Sequence, residues 1–271
     1  MLRLRVLTAA VLVPLIVWAT FALTTPQLAG LFAFFFIAAA WEWTALCGLS
    51  RRLWRILYVA VLASAGLALW QVPALPVMLA AVAWWLWALY ELVRYPDLRQ
   101  GFLATPFGRR LSGFFILIPA WIAPLAVHAR GSGGPRLTLF IMVLVWMADS
   151  GAYFVGRPWG RTKIAPHISP GKSLEGLLGG VVMVSVLALA CGKYIWKLKA
   201  PSLALWLVIA VVATLFSVLG DLVESRAKRI AGVKDSGTLL PGHGGVLDRV
   251  DALTAAAPVF VFGWLLLRPL L

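Results

Sequence analysis

LALWLVIAVVATLFSVLG, residues 203–220, is an apolar run that contains no charged side chain. A helix needs about 20 such residues to cross ~30 Å of hydrocarbon, so the run predicts a membrane-spanning helix. The other apolar segments lie near residues 6–23, 28–46, 53–70, 72–93, 111–127, 137–155, 174–192 and 247–267, and the run itself extends to residue 223. None shows the period-2 alternation of a membrane barrel. We therefore predict an all-α, polytopic integral membrane protein with about nine transmembrane helices.

The composition of the whole chain agrees with this prediction. Of its 271 residues, 62% are hydrophobic and 13% are charged. A soluble domain is typically ~45–50% apolar and ~25% charged, and a globule of this size could not bury so much apolar surface. A soluble globule, a disordered chain and a secreted disulfide scaffold are therefore excluded.

The basic residues predict the orientation. Lys and Arg concentrate on the cytoplasmic side of bacterial membrane proteins. With the N-terminus inside, 18 of the 24 Lys and Arg residues fall on the inner side and six on the outer side. This asymmetry predicts an N-in, C-out protein of the bacterial inner membrane with an uncleaved first helix, and it explains the net charge of +14 without a nucleic-acid partner.

The acidic residues divide the chain into two regions. Seven of the ten acids lie in or beside two cytoplasmic connections, predicted at residues 156–173 and 224–247. A charge inside a membrane segment costs ~2.5–3.5 kcal/mol on insertion scales and usually marks a working site. Residues 1–136 are therefore predicted to be packing and lipid-facing helices, and residues 137–271 to be the catalytic region.

The second connection is flanked by two pairs of carboxylates. Asp221 and Glu224 share a helix face as one segment ends, and Asp248 and Asp251 share a face as the next begins. Carboxylates from two helix ends can converge on Mg²⁺, a cation that prefers oxygen ligands. The alternative is that Asp248 or Asp251 only complements a helix dipole, but this does not account for the whole cluster.

The first connection is rich in Gly, Pro and cations. Such a loop lets backbone N–H groups and cations approach phosphate, and Ser173 followed by Glu175 indicates a helix start. The spacing of a nucleotide P-loop is absent. The alternative, a basic loop that only anchors topology, leaves Asp149 unexplained.

One run carries a specific resemblance. The run is Ser225-x-x-Lys228-Arg229-x₄-Lys234-Asp235-x-Gly237-x-x-Leu240-Pro241-x-His243-Gly244-Gly245-x-x-Asp248-Arg249-x-Asp251. It resembles the signature of the phosphatidate cytidylyltransferase family. The resemblance implies that CTP and phosphatidate yield CDP-diacylglycerol and pyrophosphate at the cytoplasmic face, with Mg²⁺ and a second cation such as K⁺. It leaves a homodimer open. Ala252 and Gly171 depart from the family pattern.

The resemblance and the charge pattern together give the expected site. The resemblance implies that Asp221 and Asp248 are metal ligands. We expect the catalytic set to be Asp221, Asp248, Asp251, Lys234 and Asp235, and the substrate-binding set to be Lys163, Lys172, Ser173, Lys228, Arg229, His243, Arg249 and Asp149. A secondary transporter is the alternative, although transporters keep their polar residues near the bilayer midplane.

Overall fold

The computed structural model describes residues 2–239 and 244–270, with side chains from residue 10 onward. These residues form the helices α1 (Leu2–Ala22), α2 (Thr25–Leu46), α3 (Arg52–Trp70), α4 (Ala74–Arg94), α5 (Pro106–His128), α6 (Gly134–Trp159), α7 (Leu174–Tyr194), α8 (Ala200–Ile230) and α9 (Leu247–Leu267). Single 3₁₀ turns lie at Gly131–Gly133 and Arg268–Leu270. Two short strands, β1 (Lys163–Ala165) and β2 (Ser169–Ser173), form an antiparallel hairpin between α6 and α7.

The helices confirm the predicted fold class. Each helix from α2 to α9 is long and apolar enough to cross a membrane, and the described apolar part of α1 is the shorter stretch Ala10–Ala22. A membrane favours helices because hydrocarbon offers no partners to free backbone N–H and C=O groups. The protein is therefore a polytopic helical membrane protein.

Two helices extend into the predicted cytoplasmic connections. α8 continues to Ile230, so residues 224–230 are helical rather than part of a connection, and α6 continues to Trp159. In the extension of α8, Lys228 Nζ lies 3.3 Å from Glu224 Oε1. A Glu–Lys pair four residues apart stabilises a helix, which explains why the polar sequence stays helical. The second connection therefore spans residues 231–246.

α9 lies at the centre of the bundle. It packs against α8, α5, α4, α6 and α2, and the side chains of residues 254–261 are buried. A helix that is apolar all round belongs inside a bundle. The acidic residues Asp248 and Asp251 precede this buried stretch, at the N-terminal end of α9.

Small residues allow the helices to approach one another closely, as is typical of membrane proteins. A Cβ on Gly220 of α8 would lie 2.5 Å from the carbonyl oxygen of Asp251 in α9. A Cβ on Gly179 of α7 would lie 2.7 Å from the carbonyl oxygen of Gly151 in α6. The contact at Gly220 is the more important one here, because Asp221 follows it directly.

Candidate active site

The end of α8 and the start of α9 bring carboxylates together, as the sequence predicts. Asp251 lies close enough to Asp221 and Glu224 to interact with both electrostatically. The side chain of Asp149, from α6, interacts with Asp221 in the same way. We refer to these groups as the carboxylate cluster, which consists of Asp149, Asp221, Glu224, Asp248 and Asp251.

Lys172 is the first of two lysines inside the carboxylate cluster. It lies on β2, and its Nζ is 2.6 Å from Asp221 Oδ2 and 3.4 Å from the carbonyl oxygen of Val218. The other Asp221 oxygen, Oδ1, accepts a hydrogen bond from the Ser225 hydroxyl at 3.0 Å. Lys172 also interacts electrostatically with Asp149 and Asp251. One ammonium therefore faces three carboxylates from three helices.

Lys228 is the second lysine, and it bridges α8 and α9. Its Nζ lies 2.7 Å from Asp248 Oδ1 and 3.3 Å from Glu224 Oε1. Its side chain is 10% exposed, so the charge is largely removed from solvent. Charges this far from water persist only when they are paired, which explains why a lysine and two acids occur together.

The Asp248 carboxylate is fixed by three donors. In addition to Lys228, its Oδ2 accepts hydrogen bonds from the backbone N–H groups of Ser236 at 2.9 Å and Gly245 at 2.8 Å. These donors come from both described ends of the second connection. Gly244 has a φ of +84°, in the left-handed region that favours glycine, and a Cβ there would lie 3.0 Å from Asp248 Oδ2. Asp248 therefore fixes the connection as well as contributing charge.

Hydrogen bonds to α7 and α8 anchor the hairpin. Glu175, in the first turn of α7, accepts hydrogen bonds from the backbone N–H groups of Arg161 and Thr162. The Ser173 hydroxyl accepts from the N–H of Gly176 at 3.2 Å and so caps α7, as predicted for a helix start. Arg229 Nε donates to the carbonyl oxygen of Ile168 at 3.3 Å, which joins the tip of the hairpin to α8. These contacts hold Lys172 against the carboxylate cluster.

The structure does not bring all the expected residues into one contact network. Six of the expected residues come together, namely Asp149, Lys172, Asp221, Lys228, Asp248 and Asp251. By contrast, Lys234 and Asp235 are exposed on the second connection. Lys163 is exposed and donates to the carbonyl oxygen of Gly160 at 3.2 Å. Arg249 is exposed in the first turn of α9 and interacts electrostatically with Asp149. His243 lies outside the described residues.

Sequence reasoning missed one acid that contacts this region. Glu42 of α2 is 3% exposed and accepts hydrogen bonds from the backbone at the start of α9. The same argument that singled out the later acids, the cost of a charge within an apolar segment, applies to Glu42 and could have identified it.

The donor set suits a hard cation, although the described residues do not form a closed metal site. Among them, no group of three His, Cys, Asp or Glu side chains is arranged to hold a metal ion. Five carboxyl groups nevertheless lie around two lysines, so the cluster is rich in oxygen ligands. A carboxylate oxygen has two lone pairs, and Asp221 Oδ1 and Oδ2 and Asp248 Oδ1 each have one described partner. These oxygens fit the hard-ligand chemistry of Mg²⁺.

A separate apolar cavity of about 840 Å³ lies between α4 and α5. Its walls are largely aromatic and include Trp84, Trp87, Phe102 and Phe115. None of the predicted site residues lines it, so the cavity and the carboxylate cluster are different features.

The chain is similar to known proteins along nearly its whole length. The family described as the Cytidylyltransferase family matches residues 3–266. The phosphatidate cytidylyltransferase of Pseudomonas aeruginosa is 42% identical, over 96% of both chains. That of Haemophilus influenzae is 36% identical, over 97% of this chain and 98% of its own. That of Bacillus subtilis is 46% identical over 48% of this chain and 47% of its own. These relatives are named as enzymes, so the transporter alternative is not favoured.

Proposed function

The chain belongs to the cytidylyltransferase family and is a nucleotidyltransferase, and on that premise we propose that it is a phosphatidate cytidylyltransferase. Its substrates are then CTP and phosphatidate, and its products are CDP-diacylglycerol and pyrophosphate. The observation that carries the proposal is the cluster of carboxylates and lysines where α6, α8, α9 and the hairpin meet. A reaction between two polyanions needs cations to offset their charge; the lysines supply some of it, and the carboxylates would hold a metal ion that supplies more.

In the proposed reaction, a phosphate oxygen of phosphatidate attacks the α-phosphorus of CTP. A new P–O bond forms there, and the bond from the α-phosphorus to the oxygen that bridges it to the β-phosphorus breaks. The electron pair leaves with pyrophosphate. Phosphatidate is already anionic, so the attack needs no strong base, and catalysis depends on positioning and charge neutralisation.

The lysines and arginine have separate proposed roles. Lys172, on the hairpin, neutralises Asp221 before substrate arrives and would contact phosphate oxygens afterwards. Lys228 keeps Asp248 and Glu224 in place rather than contacting substrate, because its ammonium lies against both carboxylates. Arg249 interacts electrostatically with Asp149, and Lys234 lies two residues before Ser236, whose N–H donates to Asp248, so we assign both to the pyrophosphate leaving group.

We propose Mg²⁺ as the cofactor, with Asp221 and Asp248 as its ligands and Asp251 beside them. When bound, the ion would offset negative charge on the triphosphate and on the incoming lipid phosphate. A second cation such as K⁺ remains part of the proposal. The Asp221 side chain is 31% exposed, against 7% for Asp248, which makes Asp221 the more accessible ligand.

The proposed location is the bacterial inner membrane, with the site facing the cytoplasm. The asymmetric Lys and Arg distribution supports this orientation, and the relatives are bacterial. Residues 137–271 would carry the reacting groups, and residues 1–136 would pack around them. A homodimer stays a prediction.

The experiment uses the purified protein in detergent micelles with CTP, phosphatidate and Mg²⁺. We expect pyrophosphate and CDP-diacylglycerol in equal amounts, and neither product when phosphatidate is replaced by diacylglycerol or Mg²⁺ is removed by a chelator. Parallel reactions with ATP, GTP and UTP test the preference for cytosine. Pyrophosphate release without a lipid product, or no reaction of CTP, would refute the proposal.

A further inference from the structure

Glu42, a buried acid of α2, caps the start of α9. Its Oε1 accepts a hydrogen bond from the N–H of Val246 at 3.1 Å, and its Oε2 accepts one from the N–H of Leu247 at 2.8 Å. The first N–H groups of a helix have no partner inside the helix, and the N-cap residue Val246 has no side-chain oxygen to offer. A carboxylate from a different helix therefore replaces the usual local cap and complements the helix dipole.

The same carboxylate also holds the other described end of the second connection. The Ser236 hydroxyl donates to Glu42 Oε2 at 3.1 Å, while the Ser236 N–H donates to Asp248 Oδ2 at 2.9 Å. Ser236 therefore links Glu42 directly to Asp248. Through it, α2 is connected to an aspartate that we propose as a metal ligand.

Two glycines of the signature, Gly237 and Gly245, pack directly against the Glu42 carboxylate. A Cβ on Gly237 would lie 2.3 Å from Glu42 Oε1, and its three nearest atoms all belong to Glu42. A Cβ on Gly245 would lie against the Ser236 hydroxyl oxygen and 2.5 Å from Glu42 Oε2. A larger residue at either position would require the connection or the Glu42 side chain to shift. Residues far apart in the sequence therefore form one closely packed unit.

Packing alone does not explain a charged residue at position 42. A buried carboxylate carries a desolvation cost, which an apolar side chain of similar volume would avoid. Glu91 of α4 is a useful comparison, because it is also 3% exposed but accepts a hydrogen bond from the N–H of Leu103, which lies far from Asp248 in the sequence. Glu42 accepts from three donors, and all three belong to the segment that leads into Asp248.

We propose that Glu42 is a positioning residue for nucleotidyl transfer, because it docks the second connection onto α2 and thereby fixes Asp248 and Lys228. The inference rests on the proposed function. It also extends the functional unit into the N-terminal half of the chain, which the sequence assigned to packing. Glu42 acts through Asp248 and does not itself contact substrate.

The test compares Glu42→Gln with the matched control Glu91→Gln in purified protein. Hydrogen–deuterium exchange follows the amides of residues 245–248, and steady-state assays give kcat and the KM for CTP. Loss of the charge-assisted hydrogen bonds should accelerate exchange at Val246 and Leu247 by about tenfold or more. The kcat/KM for CTP should fall by a similar factor, with a melting temperature close to that of Glu91→Gln.

The outcomes separate positioning from a structural role. Faster exchange with unchanged kcat and KM would show that Glu42 only caps α9. Unchanged exchange would show that Glu42 does not hold the start of α9 at all. Either result overturns the inference. If Glu42→Gln does not fold, Gly237→Ala is measured in the same way, and wild-type kinetics there overturn the inference. Absence of CDP-diacylglycerol with the unaltered protein would instead refute the proposed function, while the exchange data would still report on the contact.

Discussion

Lys172 Nζ lies 2.6 Å from Asp221 Oδ2, so an ion pair ties the last strand of the hairpin to α8. The same ammonium interacts electrostatically with Asp149 and Asp251. One ammonium therefore lies among carboxyl groups from α6, α8 and α9, whose oxygens are the kind of ligand that a divalent cation prefers. Lys172 is the residue through which the hairpin reaches the cluster.

The first prediction concerns Lys172. Lys172→Ala should lower kcat by about 100-fold, because removing one charge-stabilising group from a preorganised site typically costs this much. Lys172→Arg keeps the charge and should retain more activity than the alanine variant. Lys199→Ala, at the N-cap of α8 and outside the cluster, is the control. Equal activity of Lys172→Ala and Lys199→Ala would exclude Lys172 from the site.

Asp248→Asn should abolish activity and also reduce stability. The substitution removes the negative charge that Lys228 pairs with, and unmatched buried hydrogen-bonding groups cost ~1–3 kcal/mol each. The protein should still insert and purify, with a melting temperature several degrees below wild type. Asp97→Asn is the control, because Asp97 is exposed and its side chain accepts a local hydrogen bond from the N–H of Arg99. Normal turnover of Asp248→Asn at saturating Mg²⁺ would contradict the metal role.

Lys228 should matter more for stability than for substrate binding. Lys228→Met leaves Glu224 and Asp248 without their shared cation, and breaking a buried ion pair costs ~3–5 kcal/mol. Adding Glu224→Gln removes one of the two unmatched charges, so the double variant should melt at a higher temperature than Lys228→Met alone. Thermal unfolding in detergent measures both. Equal melting temperatures of the single and double variants would show that the pairing is unimportant.

Glu42 and Gly237 should be energetically coupled. Gly237→Ala places a Cβ against the Glu42 carboxylate, and Glu42→Asp withdraws that carboxylate by one methylene. The double variant should therefore lose less activity than the product of the two single losses, since contacting residues show non-additive effects. A double-mutant cycle of kcat/KM for CTP measures the coupling. Strict additivity would mean that positions 42 and 237 are not in contact.

Lys234→Ala should raise the KM for CTP with a smaller effect on kcat. Lys234 is exposed on the second connection, and we propose that it contacts the pyrophosphate part of the nucleotide. Loss of such a contact weakens binding of the ground state and transition state alike. Kinetics at varied CTP provide the measurement. A CTP dependence identical to wild type would remove Lys234 from the site.

The sequence predicted the helices well because long apolar runs are required by the membrane itself. It also predicted that the acids of α8 and α9 lie together, and the interaction of Asp251 with Asp221 agrees with this. It did not predict the hairpin, whose short strands depend on Glu175 and Arg229 rather than on local periodicity. The helical continuation to Ile230 was missed because a polar, charged sequence resembles a loop.

The partners of Glu42 could not be predicted from its own segment of the sequence. Its donors lie at Ser236, Val246 and Leu247, almost at the other end of the sequence. No local pattern relates these positions, and only the packing of α2 against α9 brings them together. The cost of burying a charge indicated that Glu42 has a partner, but not which one.

The most direct test of the central claim follows the phosphates of CTP individually. The purified protein is incubated with phosphatidate, Mg²⁺ and CTP labelled at either the α- or the γ-phosphate, and the lipid and aqueous phases are separated. We predict that the α label enters the lipid phase as CDP-diacylglycerol while the γ label remains in water as pyrophosphate. Transfer of the γ label to lipid, or recovery of intact CTP with both labels, would contradict nucleotidyl transfer.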